Sequence, residues 1–172
     1  MRWTPFVIAL IGLLAPLSTA AGASGRQPGS PTPIGGFAWP LAPPHPVVRV
    51  FQAPLAPWGP GHRGVDLGGQ PGDPVSAVAD GVVVFAGTLV DRPVISVDHA
   101  GGLRSTYEPV SPAVAAGQAV HRGDLLGHLL AGHPECTVAA CLHWGIRRGE
   151  EYLDPLALVT ARHVRLLPWH GG

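Results

Sequence analysis

The chain has 172 residues, of which 46% are apolar, which is enough for one ordinary domain with a buried core and some additional segments. Its 11 basic residues, all arginine, balance 11 acidic residues, so the formal net charge is zero. This balance gives no electrostatic basis for binding nucleic acid, and the apolar content excludes a chain that is disordered throughout.

The amino terminus has the pattern of a targeting segment. One arginine precedes an apolar run of about twelve residues from Phe6 to Leu17, and small residues follow. This pattern predicts a signal peptide over residues 1–21 and a protein that is secreted or associated with the cell envelope. Because the run is shorter than the roughly 20 residues that span a bilayer, we expect no transmembrane anchor after cleavage.

A stretch rich in proline and glycine follows the predicted signal peptide. Of residues 22–61, 17 are glycine or proline, a composition that buries too little apolar surface to order itself. We predict a linker over residues 22–44, a folded domain over 45–160 and a C-terminal tail over 161–172. The β-branched run "VVRVF" at 47–51 predicts the first strand of the domain.

The rest of the domain has the pattern of short strands. Apolar runs alternate with turn residues about every eight to twelve positions, and no segment has a helical period. This pattern predicts an all-β fold, a small and mostly antiparallel β-sandwich or open barrel. Asp80-Gly81 predicts a hairpin between two apolar runs, and residues 100–102 predict a second turn.

The segment "GHRGVDLGG" places His62, Gly64 and Asp66 at alternate positions, so an extended strand would point all three to one face. Because Gly64 has no side chain, it leaves room between an imidazole and a carboxylate, a donor pair that suits Zn²⁺. The spacing alone is weak evidence, since a solvated loop can share it. A later strand, "CLHWG", would place His143 on the same face as Cys141, but a histidine in a β core has the same pattern.

Four segments in collinear order resemble the lysostaphin/LytM-type zinc metalloendopeptidases, which act on bacterial peptidoglycan: "GHRGVDLGGQPGDPVSAVADGVVVFAG", "VISVDHAGGLRSTYEPV", "AGQAVHRGDLLGHL" and "LHWGIRRGEEYLDPLALV". The resemblance spans roughly residues 60–159 and implies the LytM peptidase fold, with the site in a groove on the sheet. It implies that His62, Asp66 and His143 bind zinc and leave a fourth coordination position for water. It also implies stem or cross-bridge peptides of peptidoglycan as the substrate and leaves the oligomeric state open.

Two histidines of the family pattern are absent from this sequence. The first histidine of its HxH motif corresponds to Cys141, and the histidine of its YxH motif corresponds to Pro109. Because general acid–base catalysis contributes about 10² to 10⁴ in rate, the chain is either a weak enzyme or a degenerate relative. A degenerate relative would bind peptidoglycan or regulate another wall hydrolase, and a zinc-free β domain is a third possibility. Glu108 is a candidate general base if Pro109 interrupts the strand.

The two cysteines, Cys136 and Cys141, leave three alternatives open. A catalytic thiolate would need a base beside it, and a fourth zinc ligand at Cys141 would close the metal site. A disulfide is favoured by export, the even count and the four intervening residues. Of the other histidines, we expect His99 to be structural and those in the glycine-rich loops to be solvated, with His133 the best placed to approach the groove.

Overall fold

A computed structural model describes residues 36–56 and 58–160 of the chain. The predicted signal peptide, the first part of the predicted linker and the predicted tail therefore lie outside the described residues. The described part of the predicted linker packs on the domain, because Phe37 and Leu41 are buried in its core. None of the helices described in these two ranges is long and apolar enough to cross a membrane.

The described residues form eleven β-strands, one 3-10 turn and one short helix. In chain order these are β1 (Val47–Arg49), β2 (Gly64–Gly69), β3 (Pro74–Ser76), β4 (Gly81–Leu89), β5 (Arg92–His99), β6 (Leu103–Glu108), β7 (Val110–Pro112), β8 (Ala119–Val120), β9 (Leu125–Leu129), β10 (Ala140–Arg148), β11 (Glu151–Leu153) and α1 (Pro155–Thr160), with the 3-10 turn at Ala100–Gly102. The predicted all-β fold is confirmed.

The strands form two antiparallel sheets around one core. Eight of them make the larger sheet, in the order β1-β2-β10-β6-β5-β4-β8 with β11 paired to β10, and the smaller sheet has the order β3-β9-β7. Apolar side chains from both sheets form the core, and Trp144 and Tyr107 are the largest that are fully buried. Each large apolar side chain buried in this way stabilises the fold by about 1.5–3 kcal/mol.

The two predicted turns have different outcomes. The turn at residues 100–102 connects β5 to β6, which pair with each other, so this prediction is confirmed. The hairpin at Asp80-Gly81 is wrong, because β3 pairs with β9 while β4 pairs with β5 and β8. Asp80 and Gly81 instead carry the chain from the smaller sheet to the larger one, since a local turn signal does not determine which strands pair.

The helix α1 was not predicted from the sequence. It follows Asp154, whose Oδ1 accepts a hydrogen bond of 2.9 Å from the Leu156 N–H, and it begins at Pro155. An aspartate before the first turn and a proline at its first position are preferred at helix starts. With six residues, the helix is too short to produce a recognisable helical period.

A buried polar chain connects β5, β6 and the segment after β3. His99 Nδ1 donates to the Asp80 carbonyl oxygen at 2.9 Å, and His99 Nε2 lies 2.7 Å from Ser105 Oγ. Ser105 Oγ lies 2.9 Å from the Tyr107 hydroxyl, which accepts from the Val78 N–H at 3.3 Å. Burial lowers the pKa of His99 and raises the pKa of Tyr107 to about 12, so both side chains are neutral at pH 7.

We expect His99 to make the stability of the domain depend on pH. Its pKa in the folded state lies below the ordinary value of 6.5, so the unfolded chain binds more protons between these two values. The stabilisation by neutral His99 is therefore fully present above pH 6.5 and is lost as the pH falls below it. His99→Gln should cost about 1–3 kcal/mol at neutral pH, because buried hydrogen bonds are lost, and less in acid. Urea unfolding of both proteins with a chelator at several pH values measures this difference, and a difference that does not shrink in acid would contradict it.

Candidate metal centre

His62 lies just before β2 and is held at both its backbone and its ring. Its backbone N–H and carbonyl pair with Gln52, at 2.8 and 2.9 Å. Its Nδ1 lies 2.8 Å from the Val50 carbonyl oxygen, which can only accept a hydrogen bond. Because Nδ1 carries the proton in this contact, the lone pair of Nε2 is free to bind a metal ion.

Asp66 and His143 lie opposite each other on the neighbouring strands β2 and β10. His143 Nδ1 is 2.8 Å from Asp66 Oδ1, and His62 Nε2 is 3.0 Å from the same oxygen and 3.1 Å from His143 Nδ1. The ligand atoms of the three residues all lie within 4.8 Å of one another. The structure thus brings together the three side chains selected from the sequence, and their two imidazoles and one carboxylate are a donor set that suits Zn²⁺.

Gly64 has to be a glycine for this arrangement to form. A Cβ atom at Gly64 would lie 2.5 Å from the Trp144 carbonyl oxygen and 2.8 Å from His143 Nε2. The sequence predicted free space at Gly64 between His62 and Asp66. In the structure this space is occupied by the ring of His143, which comes from the neighbouring strand.

Cys136 and Cys141 form a disulfide, with their Cα atoms 5.6 Å apart. The disulfide leaves no thiolate at Cys141 for catalysis or for binding zinc. Cys141 is fully buried and is the second residue of β10, two positions before His143. The disulfide therefore ties the connection between β9 and β10 to the strand that carries a candidate metal ligand. We call this connection, residues 130–139, the disulfide loop.

Glu108 ends β6 and lies opposite His143 in the register of β6 and β10. The chain departs from the strand at the following residue, Pro109, and Glu108 Oε1 lies 3.4 Å from Arg92 Nη1. Glu108 and His143 both line a groove of about 220 Å³, together with Arg63, Arg104, Thr106, Gly145, Ile146, Arg147 and Tyr152. The candidate general base is therefore on the same side of the sheet as one of the candidate zinc ligands.

His133 is a third histidine at this cluster, beside His62 and His143. Its side chain is only 8% exposed, and its Nε2 lies 3.3 Å from Asp66 Oδ1. Its ring stacks on that of His143, with the ring centroids 5.6 Å apart. The expectation of a solvated histidine is wrong for His133, although it holds for His128, which is exposed. The sequence carried one signal for this contact, because His133 lies three residues before Cys136, whose predicted disulfide leads to the His143 strand.

The charge of Asp66 is set by these neighbours. Burial of the carboxyl acts to raise its pKa, but the polar contacts and charge of His133 and His143 outweigh burial and hold the pKa of Asp66 below its ordinary value. Asp66 is therefore ionised at neutral pH. A metal ligand must be deprotonated, so the carboxylate is ready to bind a cation.

Comparisons of the sequence with known proteins give a family match and three uncharacterised relatives. Residues 60–155 match the model of Peptidase family M23. Uncharacterised proteins from Mycobacterium tuberculosis and Mycobacterium bovis are each 53% identical over 136 residues, which cover 77% of this chain and 55% of the relative. The chain thus spans about half the length of the curated relatives it matches.

A number of solved structures share the fold, including the following three. A zinc-containing peptidase from Vibrio cholerae has a TM-score of 0.60 at 20% identity, covering 74% of this chain and 40% of that one. A mutant catalytic domain of the M23 protein EnpA from Enterococcus faecalis has a TM-score of 0.56 at 20% identity, and the match covers 70% of this chain and 96% of that one. Lysostaphin has a TM-score of 0.56 at 24% identity, and the match covers 67% of this chain and 50% of that one. At these identities the likeness concerns the fold alone.

Proposed function

Because the chain belongs to peptidase family M23, whose model matches residues 60–155, we propose that it is an exported zinc metalloendopeptidase domain that cleaves peptide bonds in bacterial peptidoglycan. The observation that carries the proposal is the convergence of His62 Nε2, Asp66 Oδ1 and His143 Nδ1 within 4.8 Å. Three protein ligands with a position left open are the arrangement of catalytic zinc, whereas structural zinc usually has four protein ligands.

The donor atoms fit zinc in both type and orientation. The Val50 carbonyl fixes the tautomer of His62, and the strand pairing of β2 with β10 fixes Asp66 against His143. Zinc bound by these residues would lower the pKa of a water molecule and polarise a peptide carbonyl, which is the chemistry of peptide hydrolysis.

The groove beside these ligands would hold the peptide. Glu108 in this groove is the residue that we propose accepts and returns a proton during hydrolysis. Arg63, Arg104 and Arg147 also line the groove, and guanidinium groups suit the carboxylates of peptidoglycan stem peptides. Export to the wall is supported by the predicted signal peptide over residues 1–21 and by the disulfide, since disulfides persist in oxidising compartments.

One observation favours a second candidate function, that of a degenerate domain that binds peptidoglycan or regulates another wall hydrolase. The sulfur of Cys141 is used in the disulfide, and Pro109 has no group that can transfer a proton. Neither position where the family pattern has a histidine can therefore serve as an acid or base. If this second function is correct, the domain would bind its metal and keep its groove but would not hydrolyse peptide bonds.

A digestion experiment separates the two candidates. The zinc-loaded mature chain is incubated with purified peptidoglycan, and the released peptides are quantified by mass spectrometry beside His62→Ala. We expect release above the His62→Ala level, reduced by about 10² to 10⁴ in Glu108→Gln. Release no higher than from His62→Ala would reject the enzyme, and co-sedimentation with peptidoglycan would then support the binding domain. Absence of both release and co-sedimentation would reject both candidates.

A further inference from the structure

The disulfide loop brings a histidine onto a candidate metal ligand, and the proposed zinc chemistry does not use this contact. His133 Nε2 lies 3.3 Å from Asp66 Oδ1, the oxygen that also faces His62 and His143. The His133 side chain is more than nine-tenths buried, and its Nδ1 has no hydrogen-bond partner among the described residues. The ring therefore directs its polar contact to the Asp66 carboxylate.

The disulfide loop is attached at several points, which hold His133 in this place. The Cys136 N–H donates to the His133 carbonyl oxygen at 3.3 Å, and Cys136 itself is bonded to Cys141 on β10. Glu135 adds an ion pair of 2.6 Å with Arg49 on β1. This ion pair is largely exposed and contributes little, so the covalent disulfide constrains the loop more than the ion pair does.

The distances indicate that His133 contacts the candidate metal ligand Asp66 and is not itself a ligand of the metal. Among the described residues, the group whose ligand atoms all lie within 4.8 Å of one another is His62, Asp66 and His143. A carboxylate oxygen has a second lone pair, so Asp66 Oδ1 can bind a cation and still accept a hydrogen bond. Partners that hold metal ligands in this way typically change metal affinity by about 10- to 100-fold when they are removed.

We propose that His133 is a positioning residue, which donates a hydrogen bond from Nε2–H to Asp66 Oδ1 and so holds the carboxylate in place for zinc. The proposal rests on the proposed function in one respect, that the triad binds zinc. It adds a residue from the disulfide loop, and it gives the disulfide the role of holding that residue beside the metal site.

The test measures zinc affinity by competition with a chromophoric chelator in four variants of the mature chain. His133→Ala removes the donor, and we expect it to raise the Kd for zinc by about 10- to 100-fold. His133→Gln keeps an N–H donor at a similar reach and should restore most of the affinity. His133→Phe keeps a ring against His143 without a donor and should bind as weakly as His133→Ala. His128→Ala, an exposed histidine on β9, is the matched control and should stay within about twofold of the unmodified chain.

The electronic spectrum of the Co²⁺-substituted protein distinguishes a positioning residue from a ligand. We expect His133→Ala to keep the coordination number of the unmodified chain, because the triad remains intact. A spectrum that shows the loss of a ligand would overturn the proposal and make His133 a fourth ligand. If His133→Ala does not fold, the comparison of His133→Gln with His133→Phe decides, because glutamine has an N–H donor and phenylalanine has none.

The outcomes separate this inference from the proposed function. Failure of the unmodified chain to bind zinc would overturn the proposed function and this inference with it. Zinc binding that is equal in the unmodified chain, His133→Ala and His133→Phe would overturn the inference alone and leave the triad as the metal site.

Discussion

Asp66→Asn should abolish high-affinity zinc binding, with a loss of affinity of more than about 100-fold, the upper limit typical of residues that only support a ligand. The amide has the shape of the carboxylate but lacks its negative charge, which offsets the charge of the cation. It also presents an N–H₂ group to the histidines that surround Oδ1. The metal content of the purified protein and competition with a chelator measure the effect directly.

The matched control for Asp66→Asn is Asp98→Asn. Asp98 lies on β5, where its carboxylate pairs with Arg104. Its substitution replaces a carboxylate by an amide, as Asp66→Asn does, but outside the triad. Zinc should also raise the free energy of unfolding of the control and of the unmodified chain, by about 2.7 kcal/mol when free zinc is 100 times the Kd. The free energy of unfolding of Asp66→Asn should not change when zinc is added. Stoichiometric zinc in Asp66→Asn would contradict the assignment of the ligands.

Gly64→Ala should destabilise the domain by about 1–3 kcal/mol, the range typical of overpacking, and should weaken zinc binding as well. The added methyl group would lie 2.5 Å from the Trp144 carbonyl oxygen and 2.8 Å from His143 Nε2. Either β2 and β10 separate or the His143 ring moves away from Asp66. Urea unfolding with a chelator measures the first effect, and the Kd for zinc measures the second.

Gly87→Ala provides the matched control for this prediction. Gly87 also lies within a strand, β4, but a Cβ atom there would approach nothing closer than 3.7 Å, at the ring of Phe85. We expect this change to leave stability and zinc affinity nearly unchanged. Equal effects of the two substitutions would show that the cost is a general one of placing alanine in a strand, and that Gly64 has no particular role at the site.

The fold was accessible from the sequence because short apolar runs and turn residues repeat along the domain. The strand "CLHWG" and its alternation also agree with the structure, since Leu142 and Trp144 are fully buried in the core. The pairing of the strands could be predicted less well from the sequence. The Asp80-Gly81 signal is local, while the partner of β3 is β9, about 50 residues further along the chain, and no local pattern specifies such a pairing.

The site was predicted unevenly for the same reason. His62, Asp66 and His143 lie on or beside regular strands, where alternation determines the face and the resemblance to a known family supplies the partner strand. His133 lies in the disulfide loop, whose path depends on the disulfide and not on a strand period. The sequence predicted a solvated His133, the best placed of the loop histidines to approach the groove, and its burial against Asp66 required the three-dimensional structure.

If the His62, Asp66 and His143 side chains bind a metal ion as proposed, the position of β2 beside β10 determines when during folding the ion can be bound. Asp66 and His143 are 77 residues apart along the chain, and all strands from β3 to β9 lie between them. Pairing of two such distant segments is among the slowest steps of folding, because a long loop must close first. A partly folded chain in which β10 has not yet paired with β2 brings together only two of the three candidate ligands, His62 and Asp66. Because zinc binding energy adds to the folding free energy, the ion would stabilise the completed sheet and would not nucleate it.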